Sequence, residues 1–257
     1  MKTIRHTLDC HDRPIEIVPL ADLHLGDKEH NAELLNKWLD WLNGDDNRYC
    51  ILAGDLMNSA IKTAISDTYT ETLTPQEQLD KTIEIFGPFR DKILCVLSGN
   101  HEERISKLVG ISPDRLFAAQ MGLTHLYSDT SCILFLAFGD NKRRKGRKMV
   151  YSIYVNHGSG GGRKAGSKIS RLADYGSIID ADVFVVGHTH FPSSFKMGHF
   201  RTNTCNMSVA FHEQLYVNTA SMLDYGGYGD RQGYQPASTS YPVITLDNCR
   251  HDIKVTL

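Results

Sequence analysis

Val185-Val186-Gly187-His188-Thr189-His190 is a short apolar run that ends in two histidines separated by one residue. In a strand, successive side chains point to opposite faces, so an i, i+2 pair shares a face and both imidazoles can reach one point. That is a metal-binding geometry. Four other apolar runs stop as abruptly at acid, amide or imidazole groups. Asp22-Leu23-His24 closes residues 14–20, Gly54-Asp55 closes 49–53, Gly99-Asn100-His101-Glu102 closes 93–98, and Asn156-His157 closes 149–155. The five strand ends offer Asp22, His24, Asp55, Asn100, His157, His188 and His190 to one common edge. A single buried His or Asp is ordinarily a satisfied polar group, but chance does not place seven of them at strand ends.

Composition narrows the class. A chain of 257 residues with 41% hydrophobic and 23% charged residues is globular rather than disordered or fibrous. At this length roughly 70–75% of the unfolded surface can be buried, and a single domain over residues 1–257 is expected. The longest purely apolar stretch, residues 132–138, is too short to span a bilayer, and residues 1–13 have no apolar signal region, so a cytoplasmic protein is expected. Six cysteines are scattered without a C-x-x-C pair; Cys50, Cys95 and Cys132 fall in apolar runs and read as buried free thiols.

The pattern outward from these ends alternates strand and helix. Strand 14–20, helix 29–42, strand 49–53, helix Pro75–Phe86 and strand 93–98 give β-α-β-α-β, the signature of parallel strands with helical crossovers. Pro75 at the start and Gly87-Pro88 past the end bracket the second helix. Functional groups lie at the carboxyl ends of the strands, where open α/β sheets place ligands. Farther on, residues 114–121 read as a short helix, 132–138 and 149–155 as an antiparallel pair, 163–179 as a helix, and 183–186, 209–217, 243–246 and 253–256 as strands. Residues 225–240, rich in Gly, Tyr and Ser, read as a long loop.

The ordered motifs D-x-H (Asp22, His24), G-D (Gly54, Asp55), G-N-H-E (Gly99 to Glu102), H (His157) and G-H-x-H (Gly187 to His190) resemble the calcineurin-like metallophosphoesterase superfamily over residues 22 to 190. Five short motifs in order at strand ends are far more specific than any one of them. The resemblance implies a four-layer αββα sandwich of two mixed sheets and a two-metal centre. It assigns Asp22, His24 and His190 to one metal, Asn100, His157 and His188 to the other, and Asp55 to both, with His101 as general acid. The Gly158–Lys164 segment further resembles that of phage-encoded members.

Chemistry points the same way. Carboxylate, amide and imidazole together suit borderline divalent ions: Mn²⁺ is the first expectation, with Fe²⁺, Zn²⁺ or Ni²⁺ as alternatives. Two such ions ~3.5–4 Å apart can share a hydroxide and aim it in line at phosphorus. The implied activity is metal-dependent hydrolysis of a nucleotide or nucleic-acid phosphate ester, of phosphodiesterase or nuclease type. A small-molecule phosphomonoesterase is the alternative, and a catalytically silent nucleic-acid-binding module is the alternative from another class.

Departures from better-known branches bear on the substrate. Where the Ser/Thr protein phosphatases extend the second motif to G-D-x-x-D-R-G, this chain has Asn58 in place of the carboxylate that supports the acid histidine. Either another acid partners His101 or its role is weaker. Arg163 and Lys164, after Gly158-Ser159-Gly160-Gly161-Gly162, are candidates for binding substrate phosphate at a helix start. Residues 141–148 hold six basic residues in eight against a net charge of −2, which reads as a solvated hairpin tip or an arm for a polyanion such as DNA. Tyr225, Tyr228 and Tyr234 beside Arg231 can stack on bases or pack the loop down.

Overall fold

Alternation along β-strands sets the layering. In Val183–Val186, Val183 and Val185 join one apolar cluster while Phe184 and Val186 join another, so the strand is buried on both faces. The computed structural model describes residues 1–9, 13–62, 68–139 and 148–257. In chain order it contains β1 (Lys2–Leu8), β2 (Ile15–Leu20), α1 (Ala32–Asn43), β3 (Arg48–Leu52), α2 (Pro75–Phe86), β4 (Ile93–Leu97), α3 (Asn100–Val109) and α4 (Pro113–Gln120). There follow β5 (Tyr127–Ser128), β6 (Ser131–Phe138), β7 (Met149–Asn156), α5 (Ala165–Asp174), β8 (Val183–Val186), β9 (Ser193–Asn203), β10 (Ser208–Asn218), α6 (Gly227–Arg231), β11 (Val243–Leu246) and β12 (Ile253–Thr256).

The strands form two six-stranded mixed sheets, ordered β1-β6-β7-β8-β10-β9 and β12-β11-β2-β3-β4-β5. The larger cluster joins both sheets, drawing Leu134, Ile153, Val185 and Val217 from the first and Ile17, Ile51 and Ile244 from the second, and continues to Leu35, Leu79 and Phe117 of α1, α2 and α4. The smaller cluster, with Tyr154, Phe184, Tyr216 and Leu172 of α5, covers the outer face of the first sheet. With helices outside both sheets, this is the αββα sandwich.

Strands β2, β3 and β4 run parallel, as the β-α-β-α-β pattern requires. Helix α2 spans the expected residues because Thr74 and Glu77 form a reciprocal capping box and Pro75 occupies the first turn. Helix α1 starts later than the expected residue 29. Asn31 caps it through its side chain, and residues 29–31 instead bond across to the loop at 222–224. The expected pair at 132–138 and 149–155 is the antiparallel β6–β7 ladder, while β1 joins β6 in parallel.

Two expectations need correction. The helix expected over 163–179 is α5 plus a 3₁₀ turn at Tyr175–Ser177, which leaves Arg163 and Lys164 ahead of it. The loop expected over 225–240 contains the one-turn helix α6. After Gly99, where the sequence reading assigned no element, Asn100 opens helix α3, closed by Gly110 in the left-handed conformation. Cys50, Cys95 and Cys132 are buried free thiols. Of the basic run at 141–148, all but Lys148 lie outside the described residues. Among the described residues, no helix is long and apolar enough to cross a membrane.

Candidate metal centre

The carboxyl ends of β2, β3, β4, β7 and β8 meet at one edge of the sandwich, and the chain turns sharply just past them. Asp22 (φ 55°), His24 (φ 50°), Asp55 (φ 51°), His188 (φ 65°) and His190 (φ 48°) all adopt left-handed backbone conformations. Such angles are uncommon outside glycine and persist where surrounding bonds impose them. Here Asp22 N–H donates to Gly54 O (3.1 Å), His24 N–H to Asp55 O (3.1 Å) and Thr189 N–H to Gly187 O (2.7 Å).

That turn corrects the expected strand placement of the histidine pair. β8 ends at Val186, so His188 and His190 do not share a strand face. They serve different groups: His190 gathers with Asp22 and His24, and His188 with Asp55 and His157, each set of donor atoms lying within 4.8 Å. A third group of the same size joins His24, Asp55 and His101, so Asp55 is common to two of them.

In the first group, His190 Nε2 lies 3.1 Å from Asp22 Oδ1 and 3.3 Å from His24 Nε2. In the second, His157 Nε2 lies 3.1 Å from Asn100 Oδ1 and 3.3 Å from Asp55 Oδ2. His157 Nδ1 donates to the Ala53 carbonyl at 2.8 Å, so in the neutral ring Nε2 has only a lone pair to offer. Three acceptor atoms therefore converge with no donor among them, an arrangement that a cation satisfies. Buried His24 Nδ1 has no hydrogen-bond partner either, which leaves this imidazole to be held through Nε2.

The electrostatics match. Burial alone would raise Asp55, but the surrounding His157, His101 and His24 hold it well below the ordinary carboxylate range. Asp22 is likewise lowered, its burial outweighed by His190 and His157. Burial, then neighbouring imidazoles, push His24 and His188 down. Ionised carboxylates beside neutral imidazoles are the protonation states that metal ligation needs. His157 is the exception: burial opposes its charge, but Asp55 and Asp22 raise it to about 10, a proton there answering the same cluster of lone pairs.

His101 is held differently. Its Nδ1 donates to the Asn58 backbone carbonyl at 2.9 Å, and its backbone N–H donates to Asp55 Oδ1 at 2.9 Å. The partner that the sequence leaves open is therefore a peptide oxygen. The Asn58 amide points elsewhere, donating to Asp27 Oδ2 (3.1 Å) and Glu71 Oε1 (2.5 Å). His101 Nε2, 3.7 Å from Asp55 Oδ2, remains directed into the centre. Burial lowers its pKa, with Asp55 opposing.

Residues 15–192 match the calcineurin-like phosphoesterase family model. The chain belongs to this family. It is a metal-dependent phosphoesterase. Solved structures similar to it include a predicted phosphoesterase from Streptococcus pneumoniae TIGR4 at 13% identity, covering 94% of this chain and 88% of that one with a TM-score of 0.39. Vps29 from Entamoeba histolytica complexed with Zn²⁺ is 12% identical, with 94% and 97% covered and a TM-score of 0.42. A protein serine/threonine phosphatase from Saccharomyces cerevisiae is 11% identical, with 99% and 82% covered and a TM-score of 0.38. No curated protein matches the sequence.

The phosphoesterase has a cavity of about 520 Å³ over these groups, within the usual range for small-molecule sites. Its cationic lining comes from Arg104 and Lys168. Arg163 and Lys164, the expected phosphate ligands, are not among the described residues lining it; the Arg163 guanidinium lies 5.3 Å over the Tyr234 ring instead. Sequence reading missed Arg104 and Lys168 for a simple reason. Arg104 follows Asn100 by one helical turn, a signal visible only once α3 is recognised. Lys168 lies inside α5, where its ammonium donates to Thr189 O at 2.8 Å, beside the histidine pair.

Proposed function

We propose that this phosphoesterase binds two divalent ions and hydrolyses a phosphate ester of a nucleotide or nucleic acid. Asp22, His24 and His190 would hold one ion, Asn100, His157 and His188 the other, with Asp55 shared between them. The observation that carries this reading is the convergence of Asp55 Oδ2 and Asn100 Oδ1 on His157 Nε2, a cluster that needs a positive charge, which either a proton on His157 or a bound cation supplies. When bound, the ions supply an activated water and neutralise the phosphate oxygens. The mixed donor set favours Mn²⁺ first, with Fe²⁺, Zn²⁺ and Ni²⁺ as alternatives.

The protein's own groups do the rest. Asn58 O fixes the His101 ring through Nδ1–H and aims Nε2 into the centre, where the imidazolium form would offer its second proton to the departing oxygen. Arg104 and Lys168 line the cavity where they can orient a phosphate. One core shared by both sheets supports treating residues 1–257 as one domain. The narrower likeness to phage-encoded members rests on the Gly158–Lys164 segment alone.

A second reading, a small-molecule phosphomonoesterase, is favoured by Asp27, Glu29 and Asp224, carboxylates that line the same cavity and repel a long run of phosphates. A metal-resolved screen over a mononucleotide, a bis(aryl) phosphodiester, single-stranded DNA and duplex DNA separates the two. Cleavage of the diesters supports the first reading, monoesterase activity alone supports the second, and no hydrolysis with any metal refutes both.

A further inference from the structure

Tyr234 is the one half-buried residue in an otherwise exposed stretch from residue 231 to 240. It lines the cavity that also exposes Asn100, His101, Arg104 and Lys168. The ring is held from outside that cavity, because the guanidinium of Arg163 lies over it and Arg163 is not a lining residue. Gly161 lies alongside: a Cβ there would sit 3.9 Å from Tyr234 Oη, in ordinary contact. A ring that lines this cavity and carries a cation over one face is a platform for a planar, electron-poor group.

Other residues lining the cavity are acidic. Glu29 packs against Gly226, where a Cβ would lie 2.8 Å from its carboxyl, and Asp27 and Asp224 also line the cavity. These carboxylates disfavour additional phosphates and offer acceptors to sugar hydroxyls. The cavity's volume of about 520 Å³ holds one nucleotide rather than a duplex.

From these observations we infer that Tyr234 is a base-stacking residue, with Arg163 as its positioning residue, and that the preferred substrate class is a single nucleoside phosphate. This inference rests on the phosphoesterase reading above and sharpens its substrate. Stacking of one base on an aromatic side chain corresponds to about 5- to 140-fold in affinity.

The test compares AMP with ribose 5-phosphate, which differ by the base. Binding of the non-hydrolysable phosphonate analogue of each to the Mn²⁺-loaded full chain is measured by calorimetry, and KM is measured for each ester with Mn²⁺. The wild type should bind AMP about 5- to 140-fold tighter than ribose 5-phosphate. Tyr234→Ala should bring that ratio to within about twofold, leaving ribose 5-phosphate affinity unchanged, whereas Tyr234→Phe should keep the preference. Arg163→Ala should weaken AMP binding alone, and Arg163→Lys should restore part of it. A wild-type ratio near one, or a ratio that survives Tyr234→Ala, overturns the inference. Base preference without hydrolysis of any ester would refute the phosphoesterase reading and leave the stacking role standing; hydrolysis without base preference would do the reverse.

Discussion

Gly99→Ala perturbs the centre without removing any donor atom. Gly99 has φ −105° and ψ 173°, a backbone conformation open to alanine, so the cost of the substitution is contact rather than torsion. A Cβ there would lie 2.1 Å from both the backbone N and Oδ1 of Asp55, and 2.8 Å from its Cα. Ordinary contact begins at 3.4 Å, so 3.4 − 2.1 gives a required displacement of 1.3 Å. The Asp55 loop and the start of α3 must separate, which breaks the 2.9 Å bond from His101 N–H to Asp55 Oδ1 and pulls Asn100 away from Asp55. A misplacement of ~1 Å can cost ~10²-fold in rate, while overpacking costs ~1–3 kcal/mol of stability. The variant should therefore fold, with a lowered melting temperature and kcat/KM for a nitrophenyl phosphate ester reduced ~10²-fold at saturating Mn²⁺. Gly87→Ala is the control, since its Cβ would meet nothing within 4 Å. If Gly99→Ala kept activity within threefold of wild type, the claim that these loops must meet at contact distance would be wrong.

Asp55→Asn should lower metal occupancy more than His188→Ala or His190→Ala, because the proposed centre shares Asp55 between both ions and gives each histidine to one; elemental analysis of the three variants compares them, and equal occupancies would count against a shared carboxylate. His101→Ala should keep its metal and lose ~10²–10⁴-fold on an alkyl ester, but far less on a nitrophenyl ester whose leaving group needs no proton. Loss of metal in that variant would make His101 a ligand, as its place in a group with His24 and Asp55 allows. Arg104→Ala and Lys168→Ala should each raise KM for a phosphate ester about tenfold at unchanged metal content, the loss expected for one charge-assisted hydrogen bond; unchanged KM values would place the phosphate elsewhere in the cavity.

Much of this architecture was legible because local chemistry and tertiary role agree. Thr74, Pro75 and Glu77 start α2 where the sequence says they should. The apolar runs before Asp22, Asp55, Asn100, His157 and His188 are strands because both their faces are covered. β9 was not legible: Ser193–Asn203 is polar and largely exposed, and it is a strand through its ladder with β10 rather than through any buried face. α3 was hidden by its own function, since Asn100 read as a ligand and His101 as the general acid before either read as a helix start, although Gly110 marks its end. The seven candidate ligands follow from spacing, but their division into groups does not. The left-handed turns at Asp22, His24, Asp55, His188 and His190 decide it, and nothing in the residue types announces such angles. Likewise Arg163 looked like a phosphate ligand by charge and neighbourhood; only its stacking on Tyr234 separates it from the cavity wall.

The central claim is that Asp22, His24, Asp55, Asn100, His157, His188 and His190 form a two-metal centre. The most direct measurement is the metal content of the full chain after equilibrium dialysis against Mn²⁺, by elemental analysis referred to protein concentration. The account predicts close to two ions per chain at saturation, falling in Asp55→Asn. A saturating stoichiometry of zero in the wild type would contradict it.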